Sequence, residues 1–256
     1  MSVLAEALDT QPRWRVQQSD CIEFLRGLPA ESVDVIVTDP AYSGMNQHMR
    51  FGHGRIVGHY HKAGNTRWFR EFEDNPETYG RFLAECRRVL RDGSHIYVMF
   101  DSFSLLSLGA LMRDHFDVKG VLVWDKVAIG MGHYFRRRHE HIVFASKGRR
   151  PVARRDLPDV WTVPRIRRGA YPTQKPVALF SLMLEASAQP GDVVCDPFAG
   201  SGSSAVAALR RECRFVGADI DVTAVELTTM RCRTFEATRV DPLEPQGKTT
   251  SSPPAQ

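Results

Sequence analysis

Apolar residues along this chain follow two alternating rhythms: short runs rich in Val and Ile, and stretches at helical spacing. Trp14 to Gln17 predicts a short strand, and Cys21 to Gly27 a helix closed by Leu28-Pro29. Ser32 to Thr38 (SVDVIVT) reads as a buried strand. From Pro76 to Leu90 the positions Tyr79, Phe82, Leu83, Cys86 and Leu90 share one helical face, and Asp92-Gly93 stops it. Ser94 to Phe100 is a strand and Phe103 to His115 a helix. Val118 to Trp124 and His141 to Ala145 are strands, expected as an antiparallel pair at one sheet edge. Then follow a helix from Lys175 to Ala188 with Pro176 in its first turn, a strand Asp192 to Cys195, a helix Ser203 to Arg211, a strand Phe215 to Ala218 and a helix Val222 to Phe235. Two stretches lack period. Residues 43–68, rich in Gly and His, read as a long loop, and 149–170 as a loop or small subdomain. Residues 1–13 are expected to be flexible, and 239–256, rich in Pro, Ser and Thr, disordered.

Strands alternating with helices predict an α/β domain over 14–238, with a mostly parallel sheet covered on both faces. In such sheets ligands bind outside the carboxyl ends of the strands. Two strand ends carry unusual residues: Asp39-Pro40-Ala41-Tyr42, and Asp196-Pro197-Phe198-Ala199-Gly200-Ser201-Gly202.

Composition narrows the setting. No apolar run reaches the roughly 18 residues of a membrane span, and the N-terminus lacks the pattern of a secretory signal. Cys21, Cys86, Cys195, Cys213 and Cys232 are odd in number and form no C-x-x-C pair, so they are expected reduced, in a cytoplasmic protein. Net charge is only +4, but Arg136 to Arg168 holds ten Arg and one Lys against three acids. Alone, that window is a solvated basic face. Beside a nucleic-acid site, Arg forks suit phosphates and guanine edges.

The segment VVCDPFAGSGSSAVAALRR is strand, turn, helix. Gly200 and Gly202 let the backbone turn sharply and approach a ligand. Asp219 follows about twenty positions on, where an acid accepts bonds from ribose hydroxyls. A nucleotide-like ligand is therefore expected. The third Gly of a dinucleotide fingerprint is missing, since Ala205 stands there. Asp196 would repel a pyrophosphate and suits a cationic ligand such as an amino-acid ammonium or a sulfonium. At the other strand end, Asp39 and a carbonyl beside it can accept from an NH2 group, and Tyr42 offers a flat stacking face. A lone D-P-x-Y is by itself more often a turn with a buried Tyr.

Together these residues resemble the β-class amino methyltransferases of DNA, from bacterial and phage modification systems. Asp39-Pro40-Ala41-Tyr42 is similar to the family's [DNS]-P-P-[YFW] tetrapeptide, and Asp196 to Gly202 to its cofactor turn. Tyr171 to Pro176 resembles its H-P-T-Q-K-P segment, Ser19-Asp20-Cys21 its G-D-C, and Arg138 to Gly148 a late strand. The catalytic motif precedes the cofactor turn, which is the β-class order. The resemblance implies a Rossmann-like methyltransferase fold with a seven-stranded sheet and a circularly permuted motif order. It implies S-adenosylmethionine as cofactor and double-stranded DNA as partner, without metal. Asp39 and the Pro40 carbonyl would bond the target amine and Tyr42 would stack on the flipped base. Asp196, Phe198, Gly200, Ser201 and Gly202 would line the cofactor, Asp219 would hold its ribose, and Asp20 with Cys21 its adenine. Thr173 and Lys175 would sit near its methionine end. Asp39 at the head of the tetrapeptide favours adenine N6 over cytosine N4. Ala41 replaces the family's second Pro and Tyr171 its His. Target recognition is expected from 149–170, with Arg136, Arg137, Arg138, Arg154, Arg155, Arg165, Arg167 and Arg168 on DNA. A homodimer would extend so short a contact. His53, His59 and His61 have no cysteine near them and read as a DNA-facing or solvated loop rather than a zinc site.

Overall fold

The computed structural model describes residues 12–42, 75–130, 135–167, 169–171 and 173–244. The long loop expected at 43–68 with its three histidines, most of the N-terminal segment, Arg168 and the chain after Glu244 lie outside the described residues.

In chain order the elements are β1 (Trp14–Gln18), α1 (Cys21–Arg26), β2 (Val33–Thr38), α2 (Pro76–Val89), β3 (Leu90–Phe100) and α3 (Ser102–Leu108). A 3-10 turn (Gly109–Leu111) leads to α4 (Met112–His115), β4 (Asp117–Asp125), β5 (His139–Lys147) and β6 (Val160–Thr162). Then come α5 (Val177–Ser187), β7 (Val193–Asp196), α6 (Ser203–Arg210), β8 (Arg214–Asp219) and α7 (Val222–Thr238).

The sheet runs β1-β8-β7-β2-β3-β5-β4-β6, and β5 alone pairs antiparallel with its neighbours. It has eight strands where seven were expected. The extra one is β6, which lies parallel to β4 and takes the edge expected for the β4–β5 pair. Three residues are too few to show a period; Trp161 anchors this strand, its ring buried and its Nε1 donating to the Pro158 carbonyl at 2.8 Å. The single helix expected over Phe103 to His115 is broken. At Gly109 a Cβ would lie 2.8 Å from the Leu105 side chain, and the turn there tightens to 3-10 geometry.

Side-chain alternation along the strands builds two cores. On β3, Tyr97 and Met99 face one cluster with α5, α6 and α7, while Ile96, Val98 and Phe100 face the other with α1, α2 and α4. Burying each such large apolar side chain contributes about 1.5–3 kcal/mol, so the layers hold the strand ends in fixed relation. From β2 the chain crosses through α2 to β3 on one side, and from β7 through α6 to β8 on the other. The strand order therefore reverses between β2 and β7, leaving a crevice at their carboxyl ends. Beyond α7 the chain, expected to be disordered from 239, is anchored as far as Asp241. That carboxylate is buried against the equally buried Arg231 at 2.6 and 3.0 Å.

Candidate active site

Asp39 and Asp196 stand at the carboxyl ends of the adjacent strands β2 and β7, and both line one cleft of about 990 Å³ that opens to solvent. Its wall also includes Asp20, Cys21, Pro40, Thr173, Lys175, Phe198, Gly200, Ser201 and Asp219. Residues picked from five separate segments thus meet in one place. Two of those picked do not line it, Gly202 and Tyr42.

Gly202 has φ +81° and caps α6, but its bare Cα faces α7. An added Cβ would lie 2.7 Å from Thr228 Oγ1 and 3.0 Å from the Thr228 Cα. The glycine serves helix packing rather than ligand approach. Gly200, at φ +50°, does border the cleft; its N–H donates to Asp219 Oδ2 at 2.8 Å and its carbonyl accepts from Thr228 Oγ1 at 2.9 Å. Asp219 Oδ1 accepts from the Asp221 N–H at 2.9 Å. Asp219 therefore holds the glycine turn first, and its remaining lone pairs are what a ribose could use. Arg231 supports the turn from behind, donating to the Ser201 carbonyl at 2.6 Å and to Ser203 Oγ at 3.2 Å.

Tyr42 was expected to present its face to a base. Its ring is instead buried and lies parallel to Phe100 at 5.3 Å between centroids, with Tyr79 beside it. Residues of α2 and β3 supply the apolar walls around it. The Tyr42 N–H donates back to the Pro40 carbonyl at 3.0 Å, so one lone pair of that carbonyl is engaged.

Asp196 is buried. Its Oδ1 accepts from the Phe198 N–H at 3.0 Å and its Oδ2 from Ser204 Oγ at 2.6 Å. Burial pushes its carboxyl up to about 7, with those hydrogen bonds working the other way. The charge of nearby Asp39 raises it further, and no ion pair reaches Asp196 among the described residues. Asp39 behaves differently. Burial raises it, and the ammonium of Lys175, hydrogen-bonded to Oδ2, pulls it back. Lys175 also lies 3.7 Å from Glu140, which accepts from Lys126 Nζ at 2.9 Å. Lys126, Glu140, Lys175 and Asp39 thus form a line of alternating charge from β4–β5 into the cleft. Burial disfavours the Glu140 carboxylate, but the two ammonium groups outweigh it and hold its pKa low. Sequence reading passed over Glu140 and Lys126; each is one charge among many, on β5 and just after β4, and only the β4–β5 register brings them to Lys175.

A second role missed is that of Asp221, which lines the cleft, caps α7 and accepts from Tyr171 Oη at 3.3 Å. Asp20 is the α1 N-cap through Oδ1, which accepts from the Ile22 and Glu23 N–H groups. All five cysteines are buried. Cys21 borders the cleft, and burial followed by the Asp20 charge raises its thiol far above the usual range, so it acts as an apolar wall.

The arginines divide. β5 leaves the cleft edge of the sheet and ends at Lys147, opposite the start of β3, so the chain after it begins at the far edge. There Arg154 is spent on Asp156 at 2.7 Å and Glu185 at 2.8 Å, and Arg155 follows it. Arg138 forks onto Asp125 with both distances 2.7 Å. Arg136, Arg137, Arg165 and Arg167 are exposed, on segments hydrogen-bonded to the cleft-side ends of β4 and β5. Neither Arg154 nor Arg155 lines the cleft; Arg154 is held at Glu185, near the C-terminal end of α5, whose N-terminal end begins just after the cleft residue Lys175.

Known proteins agree with this geometry. Residues 33–230 match the N6/N4 methyltransferase family model, described as DNA methylase. YubD of Escherichia coli (strain K12), named as a methylase, is 31% identical over 80% of this chain and 84% of its own. A Thermus thermophilus protein named as a DNA modification methylase, solved with S-adenosyl-L-methionine, superposes with a TM-score of 0.61 at 20% identity, covering 86% of this chain and 93% of that one. The PvuII cytosine-N4-specific DNA methyltransferase gives 0.67 at 14% identity, with 86% of each chain covered.

The chain belongs to the N6/N4 DNA methylase family, whose members methylate amino groups of DNA bases with S-adenosylmethionine. The cleft suits that cofactor: Asp196, a buried carboxylate without an ion-pair partner among the described residues, borders it beside the glycine turn. Among the described residues no helix is long and apolar enough to cross a membrane.

Proposed function

We propose that the protein is a cytoplasmic enzyme that methylates the N6 amine of adenine in double-stranded DNA. The observation that carries this reading is the shared cleft of Asp39 and Asp196, one acid for the amine and one for the cofactor's positive end. Asp rather than Ser at position 39 favours adenine by resemblance. A flipped base brings its NH2 to Asp39. Lys175 takes Oδ2, so Oδ1 is left for one amine hydrogen, and the second lone pair of the Pro40 carbonyl for the other. S-adenosylmethionine supplies a methyl group made electrophilic by its sulfonium. The amine lone pair forms the N–C bond as the C–S bond breaks, and Asp39 takes the proton the nitrogen must release. Burial makes Asp39 a better proton acceptor than a surface carboxylate, and Lys175 keeps it ionised until then. Asp219 and Asp20 would meet ribose and adenine, and Thr173 the methionine end.

Long-read methylation mapping of DNA from an unmethylated host expressing the protein tests the reading, with nucleoside mass spectrometry to identify the base. N6-methyladenine at one recurring sequence is expected; N4-methylcytosine would overturn the choice of base. Asp39→Ala should abolish transfer and leave cofactor affinity within about threefold, since its role is confined to the amine. Equal loss of both would contradict that role. A second reading, a DNA-binding relative without catalysis, draws on Ala41 and the buried Tyr42 ring. Tight DNA binding by a wild type that transfers no methyl would favour it. A homodimer would set two basic edges on one duplex, which sedimentation with and without DNA checks.

A further inference from the structure

The chain between β4 and β5 leaves and re-enters the sheet at the cleft edge, where Asp125 pairs with His139 and His141 with Phe100. Its described parts are tied down. Lys126 N–H donates to the Arg138 carbonyl at 2.9 Å, Gly130 N–H to the Arg137 carbonyl at 2.8 Å, and Arg136 Nε to the Gly130 carbonyl at 2.7 Å. At its base, Lys126 and Glu140 lead to Lys175 and so to Asp39. From this braced segment projects Phe135, whose side chain is fully exposed at 102%. Arg136 and Arg137 follow it, and Arg137 sits 5.2 Å over the Phe103 ring. Val163 and Arg165 donate backbone N–H groups to the Asp125 and Lys126 carbonyls, which brings Arg165 and Arg167 to the same edge.

We propose that Phe135 is the wedge that enters the base stack when the target base leaves it, with the surrounding arginines on the flanking phosphates. This rests on the DNA methyltransferase reading and names the residue that makes a paired base reachable. The chemistry singles out this occupant. A flat apolar ring held in water gains by burial, and the partner must also satisfy several exposed guanidinium groups. An opened base step between two phosphate backbones offers both: apolar base faces inside and anions on either side. The ring stands at the strand edge where Asp39 waits, so one protein edge would hold both the gap and the displaced base.

Once the modified sequence is mapped, two duplexes separate this role from others. One carries the target base paired and the other carries it opposite an abasic site, where no partner has to be given up. Unstacking and unpairing cost a few kcal/mol, so Phe135→Ala should slow transfer to the paired duplex about tenfold or more and to the abasic-opposed duplex less than about twofold. Phe135→Leu, which keeps an apolar wedge, should recover most of the loss. With 2-aminopurine as the target base, the fluorescence rise on binding should fall in Phe135→Ala. Equal slowing on both duplexes, or no slowing, overturns the wedge while leaving the methyltransferase reading intact. So does a change in self-association at unchanged transfer, which would assign the ring to a second copy. A wild type that leaves no methylated base in the host DNA sinks both readings.

Discussion

Two carboxylates in one cleft are tuned by different neighbours, and their titrations should separate. Asp196 has no ion-pair partner among the described residues, and burial raises it to about 7. In the free protein the fold thus favours its protonated form, so this residue's contribution to stability declines as pH rises from its unfolded value towards 7. A cationic ligand favours the ionised form, so cofactor affinity should rise as pH rises through that range. Within it, calorimetry should show the dissociation constant changing by up to about tenfold per pH unit. Asp196→Asn can still meet the Phe198 N–H and Ser204 Oγ; it should flatten that dependence, weaken binding, and raise the melting temperature of the free protein at pH 8. Asp39, by contrast, depends on Lys175 to offset burial. Lys175→Met should raise the Asp39 pKa further. Activity that needs the ionised carboxylate is lost as pH falls through that value, so the acidic limb of the kcat profile should move to higher pH. An unmoved limb would show that Lys175 does not set the ionisation of Asp39.

At the scale of elements, packing decides what a motif residue is for. Gly202 was legible as a turn glycine, yet its partner is Thr228 on α7. Gly202→Ala should destabilise the protein by about 1–3 kcal/mol in denaturant titration, from strain at positive φ and the clash with Thr228. Thr228→Ala in the same chain should restore only part of this, since the Thr228 Cα is also close. The strands and helices themselves were readable because their apolar positions recur over enough residues, as in Pro76 to Val89. β6 was not, being three residues long, and neither was the break at Gly109 within an otherwise helical run. Of the cleft, Asp39, Asp196 and Gly200 could be picked because each stands at a strand end or in a glycine turn, and Lys175 because Tyr171 to Pro176 resembles a family segment. Glu140 could not be tied to the site, since nothing local marks it; its meaning comes from the antiparallel register that aligns it with Trp124 and sets it beside Lys126. The orientation of Tyr42 was hidden for a similar reason, because Phe100 and Tyr79, which hold it, are distant in sequence.

Across the whole molecule, the basic window that composition marks as one block is distributed to two ends of the sheet. Arg154 is neutralised by Asp156 and Glu185 at the end away from the cleft, and Arg155 lies next to it. Arg165 and Arg167 emerge after β6 at the cleft end, with no carboxylate paired to either among the described residues. If DNA lies across the cleft, only the second pair can displace counterions from it. Double substitution of Arg165 and Arg167 by Ala should therefore weaken binding to all DNA sequences and reduce the slope of log K against log salt by about 0.9 for each phosphate that is no longer neutralised. The corresponding Arg154 and Arg155 double variant should leave the slope unchanged, while losing some stability through the freed Glu185. Binding titrations at several salt concentrations give both slopes from one set of proteins. Equal changes in the two would mean that DNA wraps round the far edge of the sheet, and that charge there, despite its carboxylate partners, is available to phosphate.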